Sequence, residues 1–283
     1  MSIELNTIIN NHTTSGVLRL LERYPNAKEK MDIVVSYDEE QLEALLYSRR
    51  ITDELMDFVA SEEDVRMIQR IIELTNRNFV LSKDLEEFAR NDEGFNFLME
   101  LAYEGQNSVW VQYHNTMSVA QMREVFEALK HDISCQRIER YMLGLEADQM
   151  SEMRKAMSFS TLPTNFLEYM FYQAKKGLPG SKLREVRKAF ADDDLDESEI
   201  NLFVNGNFTE KQMKLIRKTF RLGMDKTRYL IISGLDEDKM EAVQKGFEAG
   251  LTVDELKRCA TYDLRYCKKS IEELMKIRLS EMI

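Results

Sequence analysis

Proline and glycine are scarce in this chain, at three and 11 of 283 residues. Both interrupt helices, so their near-absence leaves long helical stretches as the expected structure. No run of 18 apolar residues occurs, and no basic segment followed by an apolar one opens the sequence. Neither a membrane span nor a secretory signal is expected. The three cysteines, Cys135, Cys259 and Cys267, make an odd number without CxxC spacing. A reducing, cytoplasmic setting is the expectation. The three histidines, His12, His114 and His131, form no pair with metal spacing. There is no phosphate-binding glycine loop, dinucleotide fingerprint, HExxH or GxSxG. No cofactor or metal is therefore expected, and the chain reads as non-catalytic, although distant acids and bases could still converge.

What is present is ordinary for a soluble chain: 43% apolar and 31% charged residues, with a formal net charge of −11. The charge is uneven. Residues 1–120 carry 22 acidic and 11 basic side chains, and residues 121–283 carry 28 of each. Such an imbalance bears on partners rather than on fold. It disfavours nucleic acid coating the whole chain and leaves room for a local basic face in the second half.

The strongest pattern is internal. KQMKLIRKTFRLGM from Lys211 aligns without a gap with DKMEAVQKGFEAGL from Asp238. With Met213 and Met240 as position 0, the same register fits Leu42, Ile68, Phe95, Met122, Met150 and Leu183. The spacing predicts a repeat array with a period near 27 residues. At +3 all eight residues are apolar: Leu45, Ile71, Leu98, Val125, Met153, Val186, Ile216 and Val243. Positions 0, +3 and +7 share one helix face. At −4, Asp38, Asp64, Asn91, Ser118, Thr209 and Asp236 are good N-caps, and Asp38–Gln41, Ser118–Gln121 and Thr209–Gln212 space as capping boxes. At +10, Asn78, Gly105, Asp132, Asp193, Gly223 and Gly250 suit a left-handed helix ending. Ser108, Ser134, Asp196, Asp225 and Thr252 are expected to cap a second helix, with Phe58, Val111, Ile138, Phe166, Tyr229 and Leu256 buried at +16.

Each copy thus predicts a helical hairpin, and one hairpin cannot bury its own apolar face. The fold expected is all-α: a single elongated right-handed α-solenoid of about eight or nine short hairpins. Residues 1–37, with Val17, Leu20 and Leu21, read as a degenerate N-terminal capping unit. Residues 38–260 hold the hairpins. Residues 261–283, with Ile271, Leu274 and Ile277, read as a C-terminal capping helix. A compact helical domain without repeats is the plainer alternative.

QMKLIRKTFRLGM and KMEAVQKGFEAGL resemble a helical repeat of the form Gln-Met-x-x-Ile-Arg-x-x-Leu-x-x-Gly-Leu, found in uncharacterised proteins of Gram-positive mobile elements and phages. The match is good at 212–224 and 239–251, fair at 149–157 and 182–190, and degenerate earlier. The resemblance implies an α-solenoid and a mobile-element origin, and transfers no catalytic residue.

Two features could make contacts. Positions +4 and +5 carry Arg154–Lys155, Arg187–Lys188 and Arg217–Lys218, then Gln244–Lys245, and Arg221 extends the row. Aligned along one edge, these cations could hold a phosphate backbone or an acidic protein groove. They could equally be a solvated face laced by pairs such as Glu152–Lys155 and Glu185–Lys188. The longest copy, 150–182, carries an insertion over 158–180 that sets Phe159, Phe166, Tyr169, Phe171 and Tyr172 beside Lys175 and Lys176, with Pro163 and Pro179. Aromatic and cationic residues together favour interfaces, although such aromatics also pack inside. The acidic run DDDLDESE, from Asp192, lacks the glycine and spacing of a calcium loop, and reads as a solvated turn leading into a helix. The function expected is a protein-interaction module, one version being a phage or mobile-element factor that binds and inhibits a host protein complex. The alternative is a nucleic-acid binder using the basic row.

Overall fold

The computed structural model of the chain describes residues 14–34, 36–159 and 164–281. His12, Ser160 and Pro163 lie outside them. Among the described residues there are 19 α-helices, two short 3-10 segments and no strand. The chain divides into two compact units, Met1–Phe126 and Glu127–Ile283, where the sequence suggested one array.

The N-terminal unit runs through α1 (Thr14–Arg23), α2 (Met31–Val34), α3 (Glu39–Tyr47), α4 (Asp53–Ser61), α5 (Val65–Asn76), α6 (Lys83–Arg90), α7 (Asp92–Tyr103) and α8 (Asn107–Tyr113). Helix α9 (Val119–Lys130) contains the boundary. The C-terminal unit continues with α10 (Cys135–Tyr141), α11 (Ala147–Ser158), α12 (Thr164–Lys175), α13 (Gly180–Ala191), α14 (Glu197–Val204), α15 (Glu210–Thr219), α16 (Met224–Ile232), α17 (Glu237–Glu248), α18 (Val253–Ala260) and α19 (Leu264–Glu281).

Helices pack with their next-but-one neighbours. In the N-terminal unit α1 lies on α3, α3 on α5, and α5 on α7. In the C-terminal unit α11 lies on α13, α13 on α15, α15 on α17, and α17 on α19. The residues at +3 explain this: all eight are buried to 1% exposure or less. At position 0 only Phe95 is less than fully buried. The small residues at +6, Ala128, Ala156, Ala189, Thr219 and Gly246, are also buried and let helices approach closely. A Cβ at Gly246 would stand 2.7 Å from Leu256 Cδ2.

Each of α3, α5, α7, α9, α11, α13, α15 and α17 starts one residue after position −4 of its copy. Asp38, Asp64, Asn91, Thr209 and Asp236 accept backbone N–H bonds through their side chains. The three expected boxes, Asp38–Gln41, Ser118–Gln121 and Thr209–Gln212, all close, and the second-helix caps Asp196 and Thr252 form boxes with Glu199 and Glu255. The glutamine of the box does more than cap. Its Oε1 accepts from the cap's own N–H, while its Nε2 donates to carbonyls at the end of the next helix. Gln41 reaches Val59 and Glu62, Gln149 reaches Ala174 and Leu178, and Gln212 reaches Leu235. The Gln of the Gln-Met motif therefore clasps both legs of a hairpin.

Four local expectations need correction. Gln106, not Ser108, precedes α8, and the helix turns so that Trp110 is buried while Val111 is 70% exposed. Trp110 gains more by burial, packing on Phe88 at 4.7 Å and His114 at 4.5 Å between ring centroids. Gly223, with φ 123°, precedes α16, so Asp225 lies within its first turn. The left-handed residue after α13 is Asp194 rather than Asp193, because the Leu195 N–H closes on the Ala189 carbonyl, one residue wider than the matching Ile133–Ala128 closure. On α19, Ile271 is buried but Ile277 is exposed. Asn78, Gly105, Asp132, Gly223 and Gly250 all take positive φ as expected.

Candidate interaction surfaces

The basic row of the C-terminal unit resolves into two layers. Of its +4 arginines, Arg187 and Arg217 face inward and Arg154 is half-buried. Arg187 Nε donates to Glu152 Oε2 at 2.9 Å, and Arg217 Nε donates to Glu185 Oε2 at 2.9 Å. Both carboxylates are only 2% exposed, and Arg217 also pairs with Asp193. Each pair joins one first helix to the next: α11 to α13, and α13 to α15. Burial pushes the Glu152 carboxyl up, but hydrogen bonds from Lys155 and Arg187 outweigh it and hold it below the ordinary glutamate range. Arg187 and Arg217 are thus seam residues and leave the set of partner-binding candidates. A cation committed to a buried carboxylate cannot be spared for a ligand.

The +5 members lie further out but are mostly paired. Lys155 reaches Glu152 at 2.8 Å, and Lys188 reaches Glu185 at 3.9 Å. Lys245 is held by Glu241 at 3.0 Å. Arg154 is half-buried and also engaged within the chain. On α15 and the turn after it, Lys214, Lys218 and Arg221 have no carboxylate within pairing distance among the described residues. Arg221 Nε donates to the Lys218 carbonyl at 3.1 Å.

Sequence reading missed Glu152 and Glu185 as the buried partners. The signal was there: glutamate at +2 of one copy meets arginine at +4 of the next. Where the preceding copy has Leu215 at +2, the next has Gln244 at +4, bonded instead to Glu248 at 3.1 Å.

The aromatic segment divides in the same way. Phe166 and Tyr169 are buried, and Phe166 stacks on Phe190 at 3.9 Å. Tyr169 donates to Asn201 Oδ1 at 2.9 Å, and burial pushes its hydroxyl up to about 12. Phe171 packs edge-on against Tyr141 at 6.2 Å, and Lys175 bonds the Leu143 and Gly144 carbonyls at 3.2 and 3.0 Å. Tyr172 is 54% exposed, with Lys176 over its ring at 4.3 Å. Of the four contact candidates here, Tyr172, Lys175 and Lys176 are exposed, while Phe171 is half-buried. In the acidic run, Asp196 caps α14 and Asp193 pairs with Arg217. No group of three metal-ligating side chains occurs among the described residues.

A further concavity lies in the N-terminal unit. An open cleft of about 1020 Å³ runs over α3, α5 and the end of α7, with Glu40, Glu43, Tyr47, Gln69, Glu73 and Arg77 on its walls and Ala44, Ile72 and Ala102 among its lining. A second cleft, of about 520 Å³, is lined by Arg19, Glu22, Arg23, Glu43, Leu46 and Tyr47. Glu43 and Tyr47, one turn apart on α3, border both. Tyr47 is 79% exposed. Asn76 fixes the backbone beneath it: its Nδ2 donates to the Tyr47 carbonyl at 3.2 Å and its Oδ1 accepts from the Arg49 N–H. Sequence reading did not single out this ridge, because a lone exposed tyrosine at +5 carries no periodic signal.

No family model, curated protein or solved structure matches the chain. No helix among the described residues is long and apolar enough to cross a membrane.

Proposed function

We propose that the chain is a non-catalytic protein-interaction module built of helical hairpins in a right-handed α-solenoid. Packing between next-but-one helices supports the arrangement. The observation that carries the function is the open N-terminal groove, lined by first-helix side chains and divided by the exposed Tyr47. An open, polar groove bordered by an exposed aromatic side chain suits a polypeptide segment better than a small enclosed substrate. On the resemblance to mobile-element repeats, a host protein complex is the first partner to test.

The test is capture from a host lysate, after nuclease treatment and at high salt, by wild-type chain and by a Glu43→Lys/Tyr47→Ala variant. A stoichiometric protein retained by the first and lost by the second supports the reading. Equal retention by both removes the groove as its site.

A second reading rests on Lys214, Lys218 and Arg221. These cations lack acidic partners among the described residues, and seven residues of helix place them along roughly 10 Å. They suit the phosphates of a nucleic acid. Salt-sensitive binding that disappears when all three become Glu would support it; binding unchanged by that substitution would remove it.

A further inference from the structure

The groove holds a clue to the chemistry of its occupant. At one end, Arg77 lies over the Tyr103 ring, its Cζ 4.2 Å from the centroid, while its Nη2 reaches Glu73 Oε1 at 3.3 Å and the Tyr103 hydroxyl at 3.1 Å. This is a guanidinium held between an aromatic face and a carboxylate. At the ridge, Glu43 and Tyr47 supply another acid and another ring, one helical turn apart. Among the described residues, no cation of the chain pairs with Glu40 or Glu43, and none lies over Tyr47. The ridge therefore has the acceptor half of the Arg77 arrangement without the arginine.

Building on the protein-interaction reading, we propose that the ridge receives an arginine side chain from a basic segment of the partner polypeptide. The guanidinium lies on the exposed face of Tyr47 and pairs with Glu43, with Glu40 one turn earlier on the same helix. Three observations point this way. The stack of guanidinium on ring with a carboxylate alongside is already made by the chain itself in the same cleft. The acids at the ridge are uncompensated. Residues 1–120 as a whole carry 22 acidic against 11 basic side chains, which steers basic segments toward this unit. Arginine fits better than lysine, because a planar guanidinium stacks on the ring and bonds the carboxylate together, whereas an ammonium does so only as a point charge.

The experiment is selection of a random peptide display library on the full-length chain, followed by anisotropy titration of the recovered peptides. Peptides enriched in arginine are expected. Their affinity should fall about tenfold in Tyr47→Ala and in Glu43→Gln. It should also fall when the peptide's arginine is replaced by lysine. Tyr47 is exposed, so the variants should keep the wild-type helical spectrum and melting temperature; a matched Tyr266→Ala variant, at an exposed tyrosine outside both surfaces, should bind as wild type. Peptides without arginine that still depend on Tyr47 would overturn this inference and leave the groove as a protein-binding surface. Selected peptides indifferent to every groove substitution, or no selected peptide at all, would overturn both.

Discussion

The two units place different chemistry at the same register position. At +4 the N-terminal unit has Leu46, Ile72, Met99 and Phe126, whereas the C-terminal helices carry Arg154, Arg187, Arg217 and Gln244. Leu46, Ile72 and Phe126 are buried by dispersion and water exclusion alone. Arg187 and Arg217 occupy equally interior places only because Glu152 and Glu185 on the preceding first helix meet them. At +5 the sign of charge also changes: Tyr47, Glu73 and Glu100 in one unit, Lys155, Lys188, Lys218 and Lys245 in the other. One backbone plan accepts an apolar seam or an ionic one. The ionic seam consumes most of the cations that looked available, whereas beside the apolar seam Glu40 and Glu43 pair with no cation among the described residues.

That contrast can be broken most forcefully at Arg217. Arg217→Ala strands Glu185 in the interior and should cost about 3–5 kcal/mol, read as a lower urea midpoint of the full chain. Converting both partners, Glu185→Leu with Arg217→Met, should recover most of the loss, because the apolar seam of the other unit is then imitated. A double variant as unstable as the single one would show that the two seams are not interchangeable.

Gly180→Ala comes next. A Cβ there would stand 2.6 Å from the Asp148 backbone carbon and oxygen, and Gly180 N donates to Asp148 Oδ2 at 2.8 Å. Backbone cannot yield as a side chain can, so a loss of about 1–3 kcal/mol is expected from the same denaturation measurement.

Gln212→Ala removes the clasp between the start of α15 and the Leu235 carbonyl. Two hydrogen bonds are lost, for about 1–2 kcal/mol. The amide protons of α15's first turn should then exchange faster with solvent.

The ionic seam also has a pH signature. The Glu152 carboxyl titrates lower in the folded chain than in the unfolded one. Its contribution is therefore complete above the unfolded glutamate range and is lost as pH falls through the lower folded value. Wild type should lose stability on acidification more steeply than Glu152→Gln, which starts less stable at neutral pH. Parallel curves would show that the pair contributes no pH dependence.

The smallest effect is expected at Lys218→Ala, within about 0.5 kcal/mol, since among the described residues nothing pairs with that ammonium.

Much of the helix plan was legible because it is local. Caps such as Asp38 and Thr209, turn residues such as Asn78 and Gly250, and the buried stripe from Leu45 to Val243 follow from backbone hydrogen bonding and a 3.6-residue period. Errors fell where two local choices competed. Trp110 outweighed Val111 for one buried place, and the wider closure of the Leu195 N–H on the Ala189 carbonyl shifted a turn by one residue. The basic row looked like a surface because sequence shows charge but not direction. Whether Arg187 faces solvent depends on Glu152, 35 residues earlier, and only packing brings them together. The ridge at Glu43 and Tyr47 was hidden for the opposite reason. It is marked by what it lacks among the described residues, a cation within pairing distance, and this becomes visible only once the neighbours are placed.

The most direct measurement is site-specific photocrosslinking in a host lysate, with the photoreactive residue at position 47 or, separately, at position 218. The expected result is one crosslinked polypeptide at 47, competed away by arginine-containing peptide, and none at 218. Crosslinks at 218 alone, whether to protein or to nucleic acid, would contradict the assignment of the N-terminal groove as the site where this chain meets its partner.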